Sequence, residues 1–155
     1  MNRSLTLFLA GITFVASAHA GEKAITEKQM PPAVMAAFHK TYPQAHILGM
    51  ARESEHGKTF YEIESKDGDI RRDLSYQADG TLAEIEETIA ESALPAPVKA
   101  ALAAKHPGAA VKKAEKDTRG TVITYEVHLM VGKGMKEVVL DPSGKVLGEE
   151  AGGND

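Results

Sequence analysis

The chain has 155 residues, no cysteine, and 22 acidic against 18 basic residues, a formal charge of −4. The missing cysteines exclude disulfides, thiol catalysis and thiolate metal sites. The acidic balance argues against a nucleic-acid partner, which would require a basic stripe.

In chain order, residues 1–20 read as a secretory signal. Arg3 supplies a positive start, Leu5 to Val15 is mostly apolar, and Ala18 and Ala20 put small residues at a cleavage site expected after Ala20. The apolar run is interrupted by Gly11 and Thr13 and is too short for a retained span. Losing Arg3, the only charged residue in it, takes the formal charge from −4 to −5. The mature protein is expected to be periplasmic or secreted, with no membrane insertion after cleavage and, lacking cysteine, no bacterial lipoprotein anchor.

Two copies of one unit follow. Shifting the chain by 64 residues without a gap makes 13 of the 63 pairs from Ile25 to Glu87 identical. These include Pro31/Pro95, Val34/Val98, Pro43/Pro107, Tyr61-Glu62/Tyr125-Glu126, Gly68/Gly132 and Gly80/Gly144. Prolines, turn glycines and core positions recurring in order identify a repeated supersecondary unit. The expected division is a signal at 1–20, copies at 24–87 and 88–150, and a disordered tail at 151–155. Each copy is near the size where burial only just exceeds chain entropy, so the two are expected to pack together.

Within a copy, Thr26 and Gln29 fit a capping box, and Pro31-Pro32 suit the first turn of the following helix. Val34, Ala37, Phe38 and Thr41 share one helix face, as do Val98, Ala101, Leu102 and Lys105; Pro43 and Pro107 end the helices. Strands are expected over Ala45–Arg52, Lys58–Ser65 and Ile70–Tyr76, with a short fourth around Leu82. The second copy repeats them over Ala109–Lys116, Val122–Met130, Met135–Leu140 and around Val146. Ser54–Gly57 and Asp117–Gly120 read as turns, and a frayed tail is expected from Glu149. The fold class is therefore α+β, a tandem repeat in which each helical segment packs on an antiparallel meander of three to four strands.

The motifs Pro31–Phe38, Tyr42-Pro43-Gln44-Ala45, Tyr61-Glu62-Ile63 and Asp79-Gly80-Thr81-Leu82 recur as Pro95–Leu102, His106-Pro107-Gly108-Ala109, Tyr125-Glu126-Val127 and Ser143-Gly144-Lys145-Val146. Their order resembles the PepSY-like family, also described as beta-lactamase-inhibitor-like, over essentially the whole mature chain. The resemblance implies a small exported bacterial domain that acts by binding, with no catalytic motif to carry over; inhibition of a peptidase or beta-lactamase is one option it leaves open.

No other constellation points to catalysis. The histidines form no His-x-x-x-His pair, no serine lies in Gly-x-Ser-x-Gly or Ser-x-x-Lys, and Gly132-Lys133-Gly134 is a hairpin turn without a phosphate-loop pattern. No enzyme activity, cofactor or metal site is expected, although His46 and His56 would form a surface metal pair if a hairpin joined them. His106, in the place of Tyr42, reads as a helix-end packing residue. If Tyr61, Ile63, Ile70 and Leu74 face the core, then Phe60, Glu62, Glu64, Arg71 and Asp73 face outward. In the second copy Thr124, Glu126, His128, Glu137 and Val139 do so. These residues form the candidate binding face, acid-rich with Phe60 as an exposed aromatic. The expected function is a non-catalytic binding module for an envelope protein or peptide. The alternative is a periplasmic divalent-cation-binding or stress-related protein.

Overall fold

A computed structural model describes residues 22–55 and 57–152; the expected signal, His56 and the last three residues lie outside them. Its strands are β1 (Lys23–Ala24), β2 (His46–Glu55), β3 (Lys58–Asp67), β4 (Ile70–Tyr76), β5 (Leu82–Thr88), β6 (Ala110–Arg119), β7 (Val122–Val131), β8 (Gly134–Leu140) and β9 (Val146–Ala151). Helices α1 (Pro32–Thr41) and α2 (Ala96–Lys105) lie 64 residues apart, each after a single 3₁₀ turn, Glu27–Gln29 and Glu91–Ala93. The fold is α+β, as expected.

Local chemistry sets the helix limits. Thr26 N–H donates to Gln29 Oε1 at 3.0 Å, the backbone arm of the capping box. Pro31 and Pro95 precede the two helices, where a missing N–H costs no helical hydrogen bond. At the other ends Tyr42 N–H and His106 N–H reach back to Phe38 and Leu102 carbonyls at 2.8 Å, and the prolines that follow prevent a further turn.

All nine strands form one antiparallel sheet in sequence order, β1 to β9. The copies are joined by β5, which pairs with β4 on one side and β6 on the other. Lys23↔Arg52 and Ala24↔Ala51 recur 64 residues on as Glu87↔Lys116 and Thr88↔Glu115. The end of β5 therefore does for the second copy what β1 does for the first.

Side chains directly opposite in antiparallel strands share a face, and neighbours along a strand alternate. Ile63↔Leu74↔Ile85↔Thr118 and Ala114↔Val127↔Val138 carry one face across the central strands. That face bears both helices. Val34 and Phe38 of α1 are fully buried with Ile63, Leu74 and Tyr76, and Val98 and Leu102 of α2 are buried with Val127, Leu129, Val138 and Leu140. Each copy thus has its own core, and burying a side chain such as Phe38 stabilises the fold by about 1.5–3 kcal/mol. Thr41 and Lys105, at the ends of the predicted helix faces, are exposed instead; Thr41 Oγ1 donates back to the Ala37 carbonyl.

Gly80 and Gly144 explain why those turn glycines recur. Both have φ +84°, and a Cβ would lie 2.6 Å from the Ala33 carbonyl oxygen or 2.4 Å from that of Pro97. The turn into the last strand of each copy presses on the first turn of its helix, so only glycine fits.

Two expectations are corrected. Strands β2 and β6 run on to Glu55 and Arg119, into the predicted turns, and place Asp117 and Arg119 inside the sheet. Strand β9 continues to Ala151 where a tail was expected from Glu149; the Glu149 carboxylate reaches Lys105 and Lys136, which lower its pKa to about 2.

Candidate functional site

The second face of the sheet carries no helix among the described residues, and its composition follows from the same alternation. Going across the strands, register places Glu53 beside Phe60, Glu62 beside Ser75, Glu64 beside Asp73, and Asp73 beside Glu86. It continues with Glu86 beside Asp117, Glu84 beside Arg119, Glu115 beside Glu126, and His128 beside Glu137. Phe60, Glu62, Glu64, Arg71, Asp73, Thr124, Glu126, His128, Glu137 and Val139 therefore all share this face. Because the sheet is continuous, the residues of the two copies form one surface, with β5 and β6 between them.

That surface is less exposed than an outward strand face implies. Thr124, His128, Glu137 and Val139 are buried, at 4–8 % exposure, and Phe60 is half-buried, which corrects its reading as an exposed aromatic. The long side chains cover one another, and the carboxyls respond to that crowding. Glu86, on the shared strand, is pushed up to about 8 by burial and then by Glu84, Asp117, Glu115 and Glu126. Glu62 also rises to about 8, through burial and then a side-chain hydrogen bond to Glu53. Asp73, Glu126 and Glu137 are raised, each chiefly by burial and next by a neighbouring charge; His128 partly offsets the last two.

Cations on the face are tied to particular acids. Arg71 pairs with Glu64, Lys113 with Glu115 at 3.0 Å, and Arg119 Nη2 with both oxygens of Glu84. His128 Nε2 lies 2.9 Å from Glu126 Oε1. Glu115, Glu126 and His128 can each bring one ligand atom within 4.8 Å of the others, a donor set suited to a divalent cation. The expected His46–His56 pair gains no support: His46 opens β2 opposite Lys66, and His56 lies outside the described residues. His106 caps α2 with a buried side chain, its Nε2 3.6 Å from Glu149 Oε2.

Between β6 and β9 the face opens into a groove of about 270 Å³, lined by Asp117, Arg119, Val122, Thr124, Glu137, Val139 and residues 147–150. Asp117 Oδ2 accepts from Thr124 Oγ1 at 3.2 Å, whereas its buried Oδ1 receives no donor. Burial, and then Glu84, raise this carboxyl to about 6.

Glu53, Glu84, Glu86, Glu115, Asp117 and Arg119 were missed from the sequence. Their signal was present as period-two polarity in Glu84-x-Glu86 and Glu115-x-Asp117-x-Arg119. It was masked because β5 read as a short strand and Asp117–Gly120 as a turn.

Fold and site together define a tandem helix-on-meander protein with one uncovered, acid-rich sheet face. The chain belongs to the PepSY-like family, described as "putative beta-lactamase-inhibitor-like, PepSY-like", which matches residues 18–84 and again 72–147. Among solved structures it is similar to a "putative periplasmic protein" of Bacteroides eggerthii, with 17 % identity over 78 % of this chain and 88 % of that one, TM-score 0.63. A DUF2874 family protein of Bacteroides uniformis matches with the same identity and coverage at TM-score 0.62. A BLIP-like protein of Bacteroides fragilis matches with 17 % identity over 79 % and 88 % of the chains, TM-score 0.57. No curated protein sequence matches this chain. No described helix is long and apolar enough to cross a membrane.

Proposed function

We propose that this is an exported, non-catalytic binding module whose helix-free sheet face holds a basic segment of a cell-envelope protein or peptide, with inhibition as one consequence of such binding. One observation carries the reading: both copies place most of their strand carboxylates on a single continuous surface and their helices on the other. Burial first, and hydrogen bonding to or repulsion from neighbouring acids second, raise Glu62 and Glu86 on that surface to about 8. An approaching cation relieves that repulsion and strengthens binding. The Bacteroides proteins described as periplasmic and BLIP-like agree with export and with protein recognition.

The test is affinity capture from an envelope extract, with the mature protein beside a Glu62→Lys/Glu126→Lys variant shown by circular dichroism to be folded. A specific partner retained by the wild type and lost by the variant is the expected result. Capture unaffected by the charge reversal would remove this face from consideration.

A second reading, divalent-cation binding, is favoured by the Glu115–Glu126–His128 donor set. A ligand that binds only the folded state raises the melting temperature. This reading predicts a zinc- or calcium-dependent rise in Tm that Glu126→Gln abolishes, and an unchanged Tm up to millimolar metal rejects it.

A further inference from the structure

We infer that the groove between β6 and β9 is an anchor for one lysine side chain of the bound segment, an inference that rests on the binding-face reading above and specifies its chemistry. The groove holds about 270 Å³. That is below the roughly 300–1,000 Å³ of small-molecule sites and suits a single extended side chain.

Its lining combines apolar and acidic groups. Val122, Val139 and Leu147 supply apolar surface, and Val122 and Leu147 are 55 % and 46 % exposed, large apolar groups left uncovered at the rim. Gly148 removes a side chain from the wall at a point where a Cβ would meet nothing within 4 Å. Asp117, more than nine-tenths buried, lines the same groove as Glu137; burial, and then the Glu84 carboxyl against which it lies, raise its pKa, and no donor reaches Oδ1.

A buried acceptor without a donor is costly to leave unpaired. A ligand that repairs it must bring an N–H or O–H donor on a stem that tolerates apolar walls. Lysine does both: four methylenes lie along apolar surface while the ammonium donates three hydrogen bonds. Charge favours the same choice, since the surrounding face is acidic. Arg119, the cation already at the groove wall, is hydrogen-bonded to Glu84 and only partly offsets, at Asp117, the upward push of burial and of Glu84.

The test uses fluorescein-labelled tetralysine and its fully Nε-acetylated counterpart. Binding is read by anisotropy at pH 7.5, and the methyl shifts of Val122, Val139 and Leu147 are read by NMR. Two variants separate charge from shape: Asp117→Asn removes the charge, and Gly148→Leu fills the groove without touching any carboxylate. The expected result is saturable binding of tetralysine that moves those methyls, no binding of the acetylated peptide, and at least about tenfold weaker binding by either variant. Should Asp117→Asn fail to fold, Gly148→Leu decides alone, because its site is open.

Tetralysine binding that survives both groove substitutions but is lost in Glu62→Lys/Glu126→Lys overturns the lysine anchor and leaves the binding face standing. No binding by the wild type overturns the anchor and removes the basic-segment reading with it. A wild-type dimer that Gly148→Leu dissociates also overturns it, making a second copy the occupant.

Discussion

Gly144 shows how one residue can hold a strand turn against a helix. Its φ of +84° disfavours any L side chain, and the Pro97 carbonyl oxygen stands 2.4 Å from where a Cβ would be. Gly120 has φ +61° with nothing within 4 Å of its would-be Cβ, so it tests conformation without contact. Gly144→Ala is therefore expected to cost about 1–3 kcal/mol and Gly120→Ala about 1 kcal/mol, measured by urea unfolding. Equal losses would mean that the turn moves freely off α2. At the same scale, Glu62 and Glu126 were visible as paired identities in the sequence, whereas Asp117 was not. Asp, Thr, Arg and Gly in a row have the composition of a turn, and only pairing with β7 over the full length of β6 makes Asp117 a strand residue.

At the scale of elements, β5 decides how the copies are related. The helices, the hairpin glycines and the alternation of β7 were legible because each depends on residues close in sequence. The joining of two meanders into one sheet was not, since β5 and β6 are separated by a 3₁₀ turn and a helix, and nothing local specifies their pairing. This arrangement makes the first copy dependent on the second at one edge. A fragment spanning residues 22–88 keeps its own core of Val34, Phe38, Ile63 and Leu74 but exposes β5 as an unpaired edge. It is expected to unfold at lower urea than the full mature chain and to self-associate as concentration rises. A monomeric fragment with the urea midpoint of the full chain would show instead that the copies are independent units sharing a boundary.

For the molecule as a whole, one face is built for packing and the other concentrates charge, and the second should weaken the fold as pH rises. Glu62 and Glu86 hold their protons up to about 8 in the folded state but only to about 4.5 in the unfolded chain. Between those values the folded state binds more protons, so the stability they contribute is complete below about 4.5 and is lost as pH rises through 8. Groups with lowered pKa act elsewhere: Glu149, near 2, and Asp79 and Asp141, held down by turn hydrogen bonds, lose their contributions only as pH falls into the acid range. The mature protein is accordingly expected to melt several degrees higher at pH 5.5 than at pH 8. Glu86→Gln should raise Tm at pH 8 and flatten the profile, because it removes the carboxyl that four others crowd. A melting temperature that is flat or rises from pH 5.5 to 8 would show that the face is wetter than its packing indicates. Added tetralysine offers a separate check on the origin of the effect. If the loss comes from mutual repulsion of the carboxylates, the peptide should raise Tm at pH 8 more than at pH 5.5, and added salt should diminish that rise.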